Sequence, residues 1–156
     1  MTTRLIREAS LNDIIREMGQ MLHEGKADPT VRKLAEEAVS GKPDPISAVF
    51  EFVRKTFPYV PDPENYELFV HPRVRAEAYY KGEIKGGDCD CQALLTAAMM
   101  GSLGYKTRIL IVDSGSGELD HALASVETNI GWIPADTTTM NPLGWVKNFR
   151  QTVVVE

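Results

Sequence analysis

Three residues of this chain are of the types and in the order that thiol-based acyl chemistry needs. Cys89 lies in Gly86-Gly87-Asp88-Cys89-Asp90-Cys91, directly after a glycine pair and at the head of a long apolar run. If that run is a helix, unpaired amides and the positive end of the helix dipole favour a thiolate there. Asp88 and Asp90 act the other way, because like charge beside a thiolate disfavours it. A cationic partner is therefore needed to hold an ion pair. His121, in Leu119-Asp120-His121-Ala122-Leu123-Ala124, is placed by its pattern in a strand, where a fixed imidazole can take the thiol proton and return it to a leaving group. Asp136 ends the next short strand, Trp132-Ile133-Pro134-Ala135-Asp136, and can accept the other imidazole proton and fix the tautomer. Neighbouring antiparallel strands would bring His121 and Asp136 side by side.

Each residue taken singly has an ordinary reading. A cysteine at a helix start is commonly a small core residue, a strand histidine is commonly structural, and Asp136 can cap the Thr-rich turn that follows it. Cys89 and Cys91 are too near in sequence to staple distant segments, and a disulfide between them would be strained at a helix start. A zinc site built from Cys89, Cys91 and His121, completed by Asp136 or water, is a second chemical reading. Against it, a two-residue offset in a helix turns side chains about 200° apart, so Cys91 faces away from whatever Cys89 faces. His23, near a helix end, suits the dipole, and His71 before Pro72 has no second catalytic group beside it in the pattern; neither joins the candidate site. Trp132 and Trp145 read as core or cleft-wall residues.

The elements that must position these groups are punctuated clearly in the first third. Ser10 precedes Ile14, Ile15, Met18, Met21 and Leu22 at helical spacing, with Gly25 as a stop. Asp28-Pro29 opens a second helix that runs to Gly41, and Asp44-Pro45 opens a third with Ile46, Val49, Phe50 and Val53 on one face, ending before Pro58. From Tyr59 to Gly87 four prolines, at 58, 61, 63 and 72, lie in or beside the stretch and predict an irregular connection. Cys89 to Leu103, with Gly104 as C-cap, is apolar nearly all round and predicts a helix buried on most sides. Strands follow at Thr107 to Val112, Leu119 to Glu127, Trp132 to Ala135 and Thr152 to Val155, with turns at 114–118 and 129–131. The expectation is an α+β fold: one domain over residues 1–156, with a helical part (1–58), an irregular connection (59–87), and the Cys-bearing helix with an antiparallel sheet (88–156).

Composition narrows the partners. The 156 residues are enough for a substantial core, and 43% hydrophobic with 25% charged residues matches a globular chain. A net charge of -5 offers no basic footprint for a nucleic-acid backbone. No apolar run reaches the roughly 20 residues of a membrane span, and Met1 to Ser10 lacks the apolar core of a signal peptide. These features predict a cytoplasmic protein with neither nucleic acid nor membrane as partner and with no cofactor.

With these residues in view, the chain resembles the transglutaminase-like superfamily, whose core is a Cys-bearing helix packed on an antiparallel sheet that supplies His and Asp. Gly87-Asp88-Cys89 followed by Ala93, Leu94 and Leu95 is similar to the family's helix start, His121 to its strand histidine, and Trp132, Pro134 and Asp136 to its Trp-x-Pro-x-Asp strand. More narrowly, the chain resembles small transglutaminase-like proteins of tailed bacteriophages and prophages. The similar segments are Glu24 to Asp28, Phe50 to Val60, Asp62-Pro63, His71 to Val74, the Cys segment, and Pro142 to Trp145. Such members often read Gly-Asp-Cys-Asp-Asp, whereas here the last position is Cys91. The resemblance implies a Cys89-His121-Asp136 triad acting on a peptide or protein amide through a thioester, released to water by a peptidase or amidase. It also implies a place in the host cytoplasm or the phage particle. Two other functions share the pattern: a cross-linking acyltransferase, and a non-catalytic adaptor of phage assembly that keeps the fold.

Overall fold

The computed structural model describes residues 3–7, 10–61, 66–84, 86–149 and 151–156, residues 3–7 and 66–68 by their backbone alone. The Asp62-Pro63 segment of the resemblance lies outside the described residues. The chain runs β1 (Thr3–Arg7), α1 (Leu11–Lys26), α2 (Pro29–Val39), α3 (Pro45–Thr56), β2 (Tyr66–Val70), α4 (Pro72–Tyr80), α5 (Cys89–Ser102), β3 (Thr107–Val112), β4 (His121–Thr128), β5 (Gly131–Ala135) and β6 (Thr152–Val155). Helices followed by an antiparallel sheet form the α+β architecture expected.

Local chemistry explains the helix starts. Ser10 and Asp13 form a reciprocal capping box on α1, and the carboxylates of Asp28 and Asp44 each accept two amides at the heads of α2 and α3, with proline next in line. Gly25 was expected to stop α1, but the helix passes through it to Lys26. Its lack of a side chain serves packing instead: a Cβ there would lie 2.9 Å from Ala98 Cβ and 3.0 Å from Pro72 Cγ. The stretch 59–87 also departs from expectation. It carries β2, which pairs antiparallel with β1, and the three-turn helix α4. The prolines mislead because Pro72 takes the first helical position, and His71 replaces the usual aspartate as N-cap, its Nδ1 accepting the Arg73 amide at 3.0 Å. The N-terminal part, expected to be helical throughout, likewise contains the strand β1.

The main sheet has the order β5-β4-β3-β6, all antiparallel. Helix α5 packs against α1, α2, α3 and α4 as well as β3 and β4. Leu94, Leu95, Ala97, Ala98, Met99 and Met100 are all fully buried, which is why this helix shows no polar stripe. They meet Ile109, Ile111, Ala122, Ala124 and Val126 of the sheet on one side and Met18, Leu34, Val49 and Phe50 of the helices on the other. Helix α5 is tied to β3 by Thr107 Oγ1, which donates to the Ala97 carbonyl at 2.8 Å, and α1 is tied to the same residue by Lys26 Nζ, which donates to the Thr107 carbonyl at 2.7 Å. Trp132 and Trp145 are not core residues: both are substantially exposed, and the Arg108 guanidinium lies over the Trp132 ring at 4.0 Å. Among the described residues no helix is long and apolar enough to cross a membrane.

Candidate active site

Asp88 is the N-cap of α5, its Oδ1 accepting the Cys91 amide at 3.3 Å, so Cys89 occupies the first helical position. The glycine pair before it is required by close approach. A Cβ on Gly86 would sit 2.3 Å from Val60 Cγ2 and 2.9 Å from the Pro58 carbonyl oxygen, and one on Gly87 would sit 2.6 Å from Cys91 Cβ. This tight fit lets residues 58–60 bridge to Gly87 through Val60 N–H to Gly87 O at 2.7 Å and Gly87 N–H to Pro58 O at 3.1 Å. Gln92, fully buried on α5, donates from Nε2 to the Phe57 carbonyl at 2.9 Å and fixes the end of α3 just before that bridge.

Cys89 and His121 line the same pocket, about 210 Å³ in volume. Tyr59 and Pro61 form one wall, Ile14, Ile111 and Leu119 supply apolar surface, and Asp88, Asp90 and Asp120 supply carboxylates. Cys89 Sγ is 3.9 Å from Asp90 Oδ1, a weak S–H donor contact. Cys91, two residues on, is 1% exposed, packs toward Gly87 and does not line the pocket, as the helical offset predicts. Among the described residues no three His, Cys, Asp or Glu side chains are grouped as a metal site requires. A larger groove, about 440 Å³, runs beside α3 and contains neither cysteine nor histidine.

His121 begins β4. The β4–β5 ladder pairs Ala124 with Ala135, so continuing it by one residue sets Asp136 opposite Leu123, on the diagonal from His121. His121 Nε2 and Asp136 Oδ2 are 2.7 Å apart. The other carboxylate oxygen, Oδ1, accepts the Thr138 amide at 3.0 Å and the Thr138 hydroxyl at 2.7 Å. One oxygen of Asp136 thus caps the Thr turn, and the other meets the imidazole. Burial alone would raise the Asp136 carboxyl; the hydrogen bond and charge of His121 and the two Thr138 hydrogen bonds outweigh it and hold it below the usual range. It is therefore an anion, with its side chain only 11% exposed.

His71 is 1% exposed and sits between the Arg73 amide on Nδ1 and Glu24 Oε1, 3.1 Å from Nε2. It belongs to the helix packing and not to the pocket. Burial pushes its imidazole down, and the hydrogen bond and charge of Glu24 offset that only in part. His23 is exposed on α1. The sequence reading passed over Arg75 of α4, which is 3% exposed and reaches the Cys segment from behind. The signal for it was the His71-Pro72 pair, a helix opening of the same kind as Asp28-Pro29 and Asp44-Pro45.

The transglutaminase-like superfamily profile matches residues 30–137, more than half of the chain and including Cys89, His121, all of β5 and Asp136. Comparison with curated proteins found no match. Two solved structures share the fold. A "putative cysteine protease" from Cytophaga hutchinsonii is 15% identical with a TM-score of 0.55, the alignment covering 97% of this chain and 54% of that one. A "putative protease" from Parabacteroides distasonis ATCC 8503 is 11% identical with a TM-score of 0.52, covering 83% and 26% respectively. This chain therefore spans about half the length of the first and about a quarter of the second. With the family matched from α2 to the end of β5 around the Cys-bearing helix and its sheet, the chain belongs to the transglutaminase-like superfamily.

Proposed function

We propose that the protein is a thiol hydrolase of amide bonds, a peptidase or amidase, using Cys89 as nucleophile, His121 as general base and acid, and Asp136 as the residue that orients the imidazole. The observation that carries this is the pairing of a pocket shared by Cys89 and His121 with a buried carboxylate 2.7 Å from His121 Nε2. An anionic Asp136 favours the tautomer with the proton on Nε2, which leaves the Nδ1 lone pair to accept the thiol proton. The Cys89 thiolate then adds to the amide carbonyl carbon, and the carbonyl electron pair moves to oxygen. Backbone N–H at the start of α5, that of Cys89 first, is the proposed oxyanion donor; the Cys91 amide is already taken by Asp88. Collapse breaks the C–N bond, the amine leaves with the proton from the imidazolium, and a thioester remains on Cys89. Water, deprotonated by His121, attacks the thioester, releases the acid and restores the thiol.

The names of the two structural neighbours and the superfamily support hydrolysis as the outcome. The segments that resemble those of phage members extend the proposal to a phage- or prophage-encoded enzyme acting in the host cytoplasm or the particle. The test is intact-mass analysis after incubation with an activated amide or ester acyl donor, with and without a primary amine. Hydrolysis predicts a transient acyl adduct on Cys89 and free acid as product in both mixtures. Product formed on the amine alone establishes a cross-linking transferase, and no adduct under any condition establishes a non-catalytic protein.

A further inference from the structure

We propose that Arg75 is a positioning residue for the thiol: its buried guanidinium clamps the first turn of α5 and offsets the carboxylates that flank Cys89. This rests on the reading of Cys89 as a nucleophile. The guanidinium touches the parts of the fold that frame the pocket from behind. Nη1 donates to the Cys91 backbone carbonyl at 3.0 Å, and the group lies 5.0 Å from the Phe57 ring centroid, at the end of α3. A Cβ on Gly87 would come within 3.4 Å of both Cζ and Nη2, so the glycine also makes room for the cation.

The electrostatics give the arrangement a purpose. The groups around Cys89 are Asp88 and Asp90 on α5, both 7% exposed, Asp120 and His121 at the start of β4, and Tyr59 on the facing wall. Three carboxylates in a small pocket oppose a thiolate. A buried arginine is costly unless it meets negative charge. Burial pushes Arg75 down to about 10, while Cys91, when ionised, and Asp88 draw it back up, so at neutral pH it remains a cation within reach of the Asp88 charge. Helix dipole and His121 thus have a third ally, fixed on an element that contributes no residue to the lining of the pocket.

The test is the pH profile of Cys89 alkylation by iodoacetamide, with the labelled residue identified by peptide mass. In Arg75→Met the midpoint should rise by about one pH unit, slowing labelling below the midpoint roughly tenfold. Arg75→Lys, which keeps the charge, should recover most of the shift. Asp88→Asn, which still caps α5, should lower the midpoint in the unaltered protein and cancel the rise when combined with Arg75→Met. Should Arg75→Met fail to fold, Arg75→Gln, which keeps an N–H donor but removes the charge, decides, and an unchanged midpoint in it overturns the proposal. A folded Arg75→Met with a lower melting temperature and an unchanged midpoint also overturns it, since Arg75 would then be structural only. Failure of Cys89 to label rapidly in the unaltered protein rejects the thiol-enzyme reading itself. A fast Cys89 indifferent to these variants rejects only the role of Arg75.

Discussion

Replacing Asp136 by Asn separates the two tasks of this carboxylate. Oδ1 accepts two hydrogen bonds from Thr138, and Oδ2 faces His121 Nε2 at 2.7 Å. Asparagine has one oxygen, and the Thr138 pair holds it, so its NH₂ is turned toward the imidazole. A donor facing Nε2 demands a lone pair there, which moves the ring proton to Nδ1, the nitrogen that must accept from the thiol. It also blocks the imidazolium, since both ring nitrogens would then be donors. General-base catalysis contributes about 10²- to 10⁴-fold, so acylation of Cys89 should slow by that range, about 2.7–5.4 kcal/mol of barrier. Folding loses less: one charge-assisted hydrogen bond of about 1.5–3 kcal/mol is weakened while the Thr138 turn is kept. Single-turnover acylation under conditions where the variant is still folded by circular dichroism measures the effect. Acylation within about threefold of the unaltered protein, less than 0.7 kcal/mol, would refute the assignment of Asp136 as the orienting residue.

The two cysteines should behave differently: Cys89→Ala abolishes rapid labelling and any amide turnover, whereas Cys91→Ser, at a buried position off the pocket, leaves both within about tenfold, or roughly 1.4 kcal/mol, as peptide mapping of the label will show. Gly87→Ala should drive a Cβ into Cys91 at 2.6 Å and cost about 1–3 kcal/mol of stability, measured by urea unfolding, together with slower Cys89 labelling. His71 makes the fold acid-sensitive. Its folded-state pKa is depressed, so its contribution is fully present above about pH 6.5 and is lost as pH falls through the folded value, with a slope of at most about 1.4 kcal/mol per pH unit. His71→Asn, which retains a capping side chain, should flatten that part of a stability-versus-pH curve, and an unchanged slope would count against the argument.

The helix starts at Ser10, Asp28 and Asp44 were legible because capping is local chemistry, readable over four residues, and that of α5 because a glycine pair precedes a long apolar run. Strands β3, β4 and β5 were legible because β-branched runs alternate with turn glycines between 107 and 135, and β6 because of the run Thr152-Val153-Val154-Val155. What failed depended on contacts distant in sequence. Gly25 looked like a stop because the crowding that requires it comes from Ala98 and Pro72. Helix α4 was missed because its cap is a histidine, whose capping role needs burial against Glu24 to fix the ring. With α4 went Arg75, whose place behind the Cys segment no local pattern encodes. For the site itself, spacing suggested that His121 and Asp136 would meet. The division of the two Asp136 oxygens between imidazole and Thr138 is a matter of three dimensions and was not readable.

The bridge between residues 58–60 and Gly87 consists of two backbone hydrogen bonds, with Gln92 pinning the chain at Phe57 just ahead of it. Two such bonds are worth only about 1 kcal/mol each, far less than unfolding the core around α5. The bridge can therefore open as a local event while α5 stays folded. The amide protons of Val60 and Gly87 would exchange with solvent each time it does, well ahead of those in α5.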